Sequence, residues 1–505
     1  MRKDTSQRLR TSGRLIAGRN LLLALAATVA LVASLATVPA ASASRSETTL
    51  FDLGGVGLDV PAVQRAGQLD QLRDFGVDTV RVIVAWRSIA PDPNAFNKPA
   101  FDATDPAAYP QQWNALDDLV SGARSRGMSV LLTPSTPVPD WASSAHEQVT
   151  EPNPSEFQQF VQALGTRYSG NYSPPPALPT DPPNPVLPRV DEWSVLNEAN
   201  LTLFLKPQLK HGRSVSGRIY RELFLAAQRG LEASGHTNDT LLIGETSPGP
   251  GRKGTDPITF MRGVFCLNAK FKRKGGCAPI DADGWAQHPY DPFDAPFESS
   301  HNLINLATID DLAKALKMAR SAGATTRKLP IYVTEYGVES VPDRRYGVSQ
   351  LQQAEYISIS EYLMYRNPTI RSFGQYLMED DIGNAQVNFQ TGLEFSDGRK
   401  KLSYAAFPIA LVAQRPSEKR NKVRIWGHVR PKGGPFTVTV KARGPGAAHT
   451  LKTIHTSANG YFQFRTTFHQ GRRYSASTIL PDGTELTGPF VARLRLQVTC
   501  VDPGC

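Results

Sequence analysis

The sequence predicts a (β/α)8 barrel followed by a small all-β sandwich, and three observations support this fold class. Short β-branched apolar runs alternate with longer segments of helical period between residues 48 and 415. Eight such pairs over about 360 residues are typical of a barrel with insertions. Beyond residue 415 the pattern changes to strict alternation of apolar and polar residues, which indicates the short strands of a sandwich.

The predicted barrel strands are apolar runs that are bounded by turn residues and are too short for helices. The first begins near "LFDLGG", and the others occupy residues 79–86, 129–133, 190–196, 241–244, 284–287, 330–334 and 372–377. The segments between them place apolar residues three and four positions apart, as Trp113, Leu116 and Val120 do. A doubly wound open sheet is the alternative, but "LGGVGLDVP" lacks the glycine spacing of a phosphate loop.

The chain divides into a signal peptide over residues 1–43, a barrel over 44–417 and a sandwich over 418–505. A basic segment, an apolar run and the small residues Ala41-Ser42-Ala43 are the parts of a secretory signal. A retained membrane anchor is the alternative, because the run approaches membrane-spanning length. The small residues favour cleavage after Ala43, and we therefore expect a secreted, extracellular protein.

The two larger regions differ in charge. Residues 44–417 carry 36 basic and 41 acidic side chains, whereas residues 418–505 carry 14 basic and 4 acidic ones. This difference supports separate domains. The basic sandwich either covers the barrel or contacts an anionic polymer of the cell wall, which would hold the protein at the cell surface.

Four cysteines lie in close sequence pairs, Cys266 with Cys277 and Cys500 with Cys505. In an exported chain this spacing predicts two local disulfides. Neither pair is accompanied by histidine or cysteine at zinc-ligand spacing, so we predict no metal site.

Two glutamates follow predicted strands on the same face of the barrel. Glu198 closes the fourth strand in "VDEWSVLNEA", and Glu335 closes the seventh in "PIYVTEYG". The carboxyl ends of barrel strands meet at one mouth, so both carboxyls are expected there. Cleavage of a glycosidic bond needs one protonated and one ionised carboxyl. Glu245 closes the fifth strand, and Glu339 is a rival to Glu335 that lies beyond the strand end.

Residues 48–415 resemble glycoside hydrolase clan A, the barrel enzymes that include cellulase-like and xylosidase-like families. In that clan an Asn-Glu pair closes strand four, and the nucleophile closes strand seven. The resemblance implies that Glu198 is the acid/base, that Asn197 binds the sugar 2-hydroxyl and that Glu335 is the nucleophile.

Further residues match the clan's supporting elements. Arg81 and Trp86 lie in the strand-two run "VRVIVAWRSIAP", and His288 and Tyr290 form the His-x-Tyr element in "AQHPY". Arg81 and the Tyr290 hydroxyl are expected to hydrogen-bond Glu335 and to keep it ionised and oriented. Each of these residues also has an ordinary structural interpretation, such as an internal ion pair or a core side chain.

Aromatic residues suggest where a sugar would bind. Trp141, in the long segment after strand three, is the best candidate to stack on a sugar ring. Clan members usually place a tryptophan at the end of strand eight, but this chain has "GQYLMEDD" there. Tyr376 is the expected substitute. Trp86 is assigned to substrate binding in the same way.

These observations favour a secreted retaining glycosidase that acts on a poly- or oligosaccharide. We expect no cofactor, no nucleic-acid partner and a monomer. Two alternatives stay open, namely a catalytically inactive carbohydrate or cell-wall binding protein and a transglycosylase that uses the same site.

Overall fold

The computed structural model describes residues 47–54, 56–109, 113–176, 178–291, 295–298, 303–384, 387–417 and 419–494. The predicted signal peptide and the predicted Cys500–Cys505 disulfide lie outside these residues. The other predicted disulfide, Cys266–Cys277, is present. No helix in the described part of the chain combines the length and the apolar character that crossing a bilayer requires.

Eight parallel strands close into a barrel, as the sequence predicts. They are β1 (Thr48–Asp52), β2 (Thr79–Ala85), β3 (Ser129–Ser135), β4 (Glu192–Ser194), β5 (Thr240–Thr246), β6 (Gly284–Gln287), β7 (Ile331–Val333) and β8 (Ile370–Tyr376). Each strand pairs with its neighbour in sequence, and β8 pairs with β1 to close the ring. Because helices cover the outside, most residues of these strands are buried, and the strands lack a regular alternation of apolar and polar residues.

Helices follow the strands along the described chain. They are α1 (Ala62–Asp74), α2 (Asn114–Ser125), α3 (Pro154–Arg167), α4 (Ser216–Ala233), α5 (Pro257–Val264), α6 (Ile309–Ser321), α7 (Gln350–Arg366) and α8 (Leu402–Ala406). Short helical turns occupy Val56–Asp59, Trp86–Ile89, Pro106–Ala108 and Asp140–Ala142. Three of these eight helices begin at a residue whose side chain caps the helix. The side chain of Asn153 accepts hydrogen bonds from two backbone N–H groups of α3, and Ser349 forms a capping box with Gln352 at α7.

The inside of the barrel is filled rather than open. Leu50, Leu131, Leu242 and Ala286 form an internal apolar cluster against which Tyr332 packs. This packing closes the barrel from within, so that polar side chains can gather only at the strand ends. Short antiparallel pairs in the loops add Leu209–Lys210 with Arg213–Ser214, and Asp381–Asn384 with Val387–Phe389.

The sandwich consists of two four-stranded sheets. Its strands are β9 (Ile409–Gln414), β10 (Lys422–Val429), β11 (Thr437–Arg443), β12 (His449–His455), β13 (Tyr461–Thr467), β14 (Arg473–Ile479), β15 (Glu485–Thr487) and β16 (Arg493–Leu494). One sheet has the order β13-β10-β9-β16, and the other has the order β12-β11-β14-β15. The all-β second region is therefore confirmed.

Two details of the sandwich differ from the prediction. Strand β9 pairs with β10 in antiparallel register, so the sandwich begins at Ile409 and not after residue 417. An Asn-Gly pair such as Asn459-Gly460 is typical of a hairpin turn, but here it closes no hairpin, because β12 and β13 belong to different sheets. Both faces of β9 are buried, so its sequence lacks the alternation that marks the other sandwich strands.

The barrel and the sandwich share a buried contact along α7. Ile359 and Tyr362 of α7 cluster with Ala410, Val412 and Trp426 of the sandwich. A buried ion group lies beside this contact. Glu361 of α7 accepts hydrogen bonds from Arg430 Nη2 at 2.8 Å and from the His428 ring at 2.5 Å. The sandwich is thus packed against the outer layer of the barrel, away from the strand ends that carry the predicted site.

Candidate active site

Polar side chains from most of the barrel strands meet at the carboxyl ends of these strands. Asp52 ends β1, Arg81 lies within β2, Glu245 lies near the end of β5, and Glu335 follows β7 by two residues. Asn197 and Glu198 come shortly after β4, and His288 and Tyr290 come directly after β6. The structure therefore brings the predicted Glu198, Glu335, Asn197, Arg81, His288 and Tyr290 into one place.

Arg81 is the centre of this group, and its side chain is fully buried. Nη1 donates to Glu335 Oε2 at 2.9 Å and also to Asp52. Nη2 donates to Asn197 Oδ1 at 2.8 Å and lies 3.0 Å from Glu245 Oε2. One guanidinium thus orients four side chains from four strands, which uses the fixed fork of arginine.

His288 is the second cation of the group. Its Nδ1 lies 3.0 Å from Glu198 Oε1, and its Nε2 lies 2.6 Å from Glu245 Oε2. Burial alone would lower the pKa of His288, but the charge of Glu335 and the bonds to Glu198 and Glu245 raise it to about 10. Both ring nitrogens therefore carry hydrogens and donate. The imidazolium joins Glu198 to Glu245, and its Nδ1 also lies 3.4 Å from Glu335 Oε2.

The two catalytic candidates lie close together. An oxygen of Glu198, an oxygen of Glu335 and a ring nitrogen of His288 lie within 4.8 Å of one another. Tyr290 Oη donates to Glu335 Oε1 at 2.9 Å, as expected from the sequence. The side chains of Glu198 and Glu335 are 15% and 9% exposed, so both are buried at their bases and reach the surface of the site.

The backbone is strained at two of these glutamates. Glu198 has φ 40° and Glu245 has φ 47°, which are left-handed conformations that non-glycine residues seldom adopt. The Glu198 N–H donates to the Glu245 carbonyl at 2.8 Å, so the two strand ends hold each other in place. Such conformations cost roughly 1–3 kcal/mol each and concentrate at functional sites.

The electrostatics of the group are governed by a surplus of carboxyls over cations. Burial would raise the pKa of Glu245, but the charge of Arg81 and the bond to His288 lower it to about 2. Burial raises the pKa of Asp52. It also raises the pKa of Glu335 to about 7, against the opposing charges of His288 and Arg81. Arg81 and Tyr290 hydrogen-bond Glu335 as expected, but they do not hold its pKa low, because Asp52 and Glu245 bond the same guanidinium.

Glu198, His288 and Glu335 are also residue types that bind metal ions. Both ring nitrogens of His288 are already engaged, Nδ1 by Glu198 at 3.0 Å and Nε2 by Glu245 at 2.6 Å. Arg81 already lies against Glu335 and would repel a cation there. The three residues fit acid–base chemistry better than metal binding.

A cleft of about 410 Å³ opens over the two glutamates. Its wall includes Leu201, Ser247 and Tyr290 from the loops after β4, β5 and β6. Residues 336–348 after β7 contribute six further lining residues, and Phe389 comes from the segment after β8. Long segments also follow β2, β3, β4 and β8 in the sequence. Among the described lining residues, the loops after β5, β6 and β7 contribute more.

Two predicted substrate-binding tryptophans lie in the core instead. Trp86 is fully buried and stacks on Phe160, with ring centroids 5.2 Å apart. Trp141 is 8% exposed, packs edge-on against Trp86 and donates from Nε1 to the Pro91 carbonyl at 3.2 Å. Both assignments to substrate binding are therefore corrected, because neither ring presents a face to the cleft.

Tyr376 fits its predicted place more closely. It ends β8, is partly exposed, and packs edge-on against Phe389 of the cleft wall. Burial and the neighbouring charges of Glu335 and Asp52 raise the pKa of Tyr376, so its hydroxyl stays protonated. Its contact with a sugar stays a prediction. Glu339 lines the cleft but hydrogen-bonds the Gln390 N–H at 2.6 Å, so it stands apart from the Arg81 group.

Sequence reasoning missed Asp52 and left the role of Glu245 open. Both are fully buried partners of Arg81, and Thr334 Oγ1 adds a hydrogen bond to Glu245 at 2.8 Å. The sequence does contain an indication of both residues, because each is the one acidic residue in an otherwise apolar barrel strand. A buried acid in such a position needs a cationic partner, and Arg81 is the arginine in strand β2.

No protein-family model matches this sequence, and no curated protein does. The chain is similar to the solved structure of a glucosidase from Croceicoccus marinus, with 13% identity, a TM-score of 0.49 and coverage of 85% of this chain and 95% of that one. A monomeric β-xylosidase from Caulobacter crescentus CB15 has 13% identity, a TM-score of 0.47 and the same two coverages. The GH5_18 protein from Streptomyces cattleya in complex with GlcNAc has 16% identity, a TM-score of 0.45 and coverage of 72% and 79%.

Glycosidases are thus among the solved structures to which the chain is similar. The fold follows from the strand order of the barrel, and the chemistry follows from the geometry of the two glutamates.

Proposed function

We propose that this protein is a secreted glycoside hydrolase that cleaves O-glycosidic bonds of a poly- or oligosaccharide and keeps the configuration of the anomeric carbon. One observation carries the proposal: Glu198 and Glu335 reach the floor of one cleft with carboxylate oxygens no more than 4.8 Å apart. Retaining enzymes hold their two carboxyls about 5–5.5 Å apart, whereas inverting enzymes need about 6.5–9.5 Å for a water molecule.

In the first step, a carboxylate oxygen of Glu335 forms a bond to the anomeric carbon. The bond from that carbon to the leaving oxygen breaks, and Glu198 gives its proton to this oxygen. Arg81 and Tyr290 already donate to Glu335, so they orient the attacking carboxylate before substrate arrives. His288 donates to Glu198 Oε1, which leaves Oε2 to carry the acidic proton.

In the second step, water enters in place of the departed alcohol. Glu198, now ionised, takes a proton from the water, and the water oxygen bonds to the anomeric carbon as the ester bond to Glu335 breaks. Two displacements at one carbon return the original configuration. His288 stabilises the ionised Glu198 in the interval between the steps, because its charge lies 3.0 Å away.

The decisive experiment is intact-mass measurement after incubation with a panel of 2-deoxy-2-fluoro glycosides. A retaining hydrolase accumulates a covalent adduct with one or more of these sugars, and peptide mapping should place the adduct on Glu335. Proton NMR of the first product released from an ordinary substrate should show the starting anomer. Release of the opposite anomer, or an adduct on Glu339, would refute the assignment.

A further inference from the structure

The described lining of the cleft over the two glutamates carries acidic side chains without basic ones. Its described lining side chains include four carboxyls but neither lysine nor arginine. The four are Glu198, Asp291, Glu335 and Glu339. Most of the other side chains are apolar or aromatic, and they include Tyr336, Tyr346 and Phe389. A sugar in this cleft therefore meets aromatic faces and acidic hydrogen-bond acceptors.

Glu339 is the carboxyl that the proposed mechanism does not use. It is partly exposed in the wall, and its Oε2 is fixed by the Gln390 N–H at 2.6 Å. Burial raises the pKa of Glu339 to about 7, and the charges of Asp343 and Asp380 act in the same direction. Lys401 opposes them, but its buried ammonium lies 2.5 Å from Asp380 and is largely neutralised there. The wall around Glu339 is thus negative at alkaline pH.

Cations occur at the rim but outside the lining. Arg252 is exposed next to Gly251, and Arg345 is exposed with its guanidinium 4.8 Å from the centre of the Tyr346 ring. Exposed charges are screened by water and salt, so they act weakly on a group bound deep in the cleft. The buried cations Arg81 and His288 are already engaged by the carboxyls beneath the cleft.

We propose that the wall around Glu339 selects glycosides whose sugar rings carry no negative charge and rejects uronic acids and sulfated sugars. This inference rests on the proposed hydrolase function and names the substrate class of the same site. Sites that bind anionic groups commonly supply arginine or lysine donors, and the described lining offers none. A carboxylate moved from water to a wall of carboxylates would lose its hydration and gain repulsion. Glu339 instead accepts a hydrogen bond from a sugar hydroxyl.

The test compares pairs of aryl β-glycosides that differ only at C6, such as glucoside with glucuronide and galactoside with galacturonide. The assays are run at pH 8, where Glu339 is largely ionised. In any pair that is hydrolysed, we expect kcat/KM of the neutral member to exceed that of the uronide by about 100-fold or more, since an unpaired charge in a closed site commonly costs this much. A ratio within threefold of one overturns the proposal.

The variant Glu339→Gln removes the charge but keeps an oxygen that can accept from the Gln390 N–H. It should lower the neutral-to-uronide ratio by about tenfold, mainly through a lower KM for the uronide. The matched control is Glu298→Gln, because Glu298 is an exposed carboxyl close to the cleft but outside its lining. An unchanged ratio in Glu339→Gln, or an equal change in both variants, overturns the role of Glu339.

The hydrolase proposal and the charge-selection proposal can be refuted independently. Melting curves first establish that both variants are folded. If wild type cleaves no member of any pair and forms no adduct with the 2-deoxy-2-fluoro panel, the hydrolase proposal fails. Calorimetry with a neutral oligosaccharide and its uronate counterpart then tests the charge selection by binding alone. Tighter binding of the neutral sugar supports the selection, and equal or tighter binding of the uronate overturns it.

Discussion

The protein contains two buried groups of charged side chains, and they shift the pKa of a buried glutamate in opposite directions. At the junction of barrel and sandwich, Arg430 and His428 both bond Glu361, and the pKa of Glu361 is lowered because their charges outweigh its burial. At the barrel mouth, burial outweighs the cations and raises the pKa of Glu335 to about 7.

The difference lies in the balance of charges. Burial raises the pKa of Glu47, the second carboxyl near Glu361, so the junction holds two basic side chains around one ionised acid. At the mouth, four carboxyls share two cations. They are Asp52, Glu198, Glu245 and Glu335, with Arg81 and His288. A group in which cations match or outnumber the ionised acid is suited to hold two parts of a fold together, whereas four carboxyls around two cations do not all ionise at neutral pH.

The largest expected effect is on kcat, which should fall on mutation of the group at the barrel mouth but not on mutation of the group at the junction. Glu335→Gln removes the attacking carboxylate and should lower kcat by about 10⁴-fold or more, as losses of nucleophiles in other enzymes do. Glu361→Gln should leave kcat within about twofold, because Glu361 lies in α7 against the sandwich. Steady-state kinetics on the substrate identified by the adduct panel measures both values. Comparable losses in the two variants would contradict the separation.

The next largest effect is on the free energy of unfolding, which should fall when the acid of the junction group is removed. Glu361→Ala leaves Arg430 and His428 buried without their shared acid, and this type of change costs about 3–5 kcal/mol. Urea unfolding at pH 7, followed by circular dichroism, should show a correspondingly lower free energy of unfolding. A loss below about 1 kcal/mol would mean that the junction is not held by this group.

The raised pKa of Glu335 predicts a pH-dependent gain in stability on its removal. The folded pKa of about 7 exceeds the ordinary value of 4.5, so wild type loses stability as the pH rises through this interval. The difference corresponds to about 3 kcal/mol at most. Glu335→Gln cannot ionise and should therefore melt higher than wild type at pH 8, with a much smaller advantage at pH 4.5. Thermal melting at the two pH values measures this, and an advantage confined to pH 4.5 would reverse the assigned sign.

The smallest effect concerns the corrected tryptophans. Trp141→Phe deletes the hydrogen bond to the Pro91 carbonyl and part of the packing on Trp86. We expect a loss of about 1–2 kcal/mol in stability and an unchanged KM. A raised KM at an unchanged melting temperature would restore Trp141 to the substrate site.

Much of the fold and the centre of the site could be predicted from sequence, because both depend on strand ends. Parallel barrel strands place their carboxyl ends together, so Glu198 and Glu335 could be paired without coordinates. The resemblance to clan A, and not this rule, pointed to Arg81, His288 and Tyr290. The pattern does not show the direction of a side chain in a loop, and Trp86 and Trp141 were misassigned for this reason.

The boundary between barrel and sandwich could not be predicted for a related physical reason. Strand β9 reads "IALVAQ" and is buried on both faces, with Leu411 in the sandwich core and Val412 against α7. A strand between two cores loses its alternation and resembles a barrel strand. Asp52 was missed because the end of β1 is not marked by a turn residue until Gly54.

This position of β9 has a practical consequence for dissecting the protein. A chain cut after residue 417 would keep β9 and lose β10, which is its antiparallel partner. The unpaired backbone and the apolar side chains of Ile409, Leu411 and Ala413 would then face water, and such edges promote aggregation. Insolubility of that fragment would therefore result from the exposed edge of β9 and would not measure the activity of the barrel.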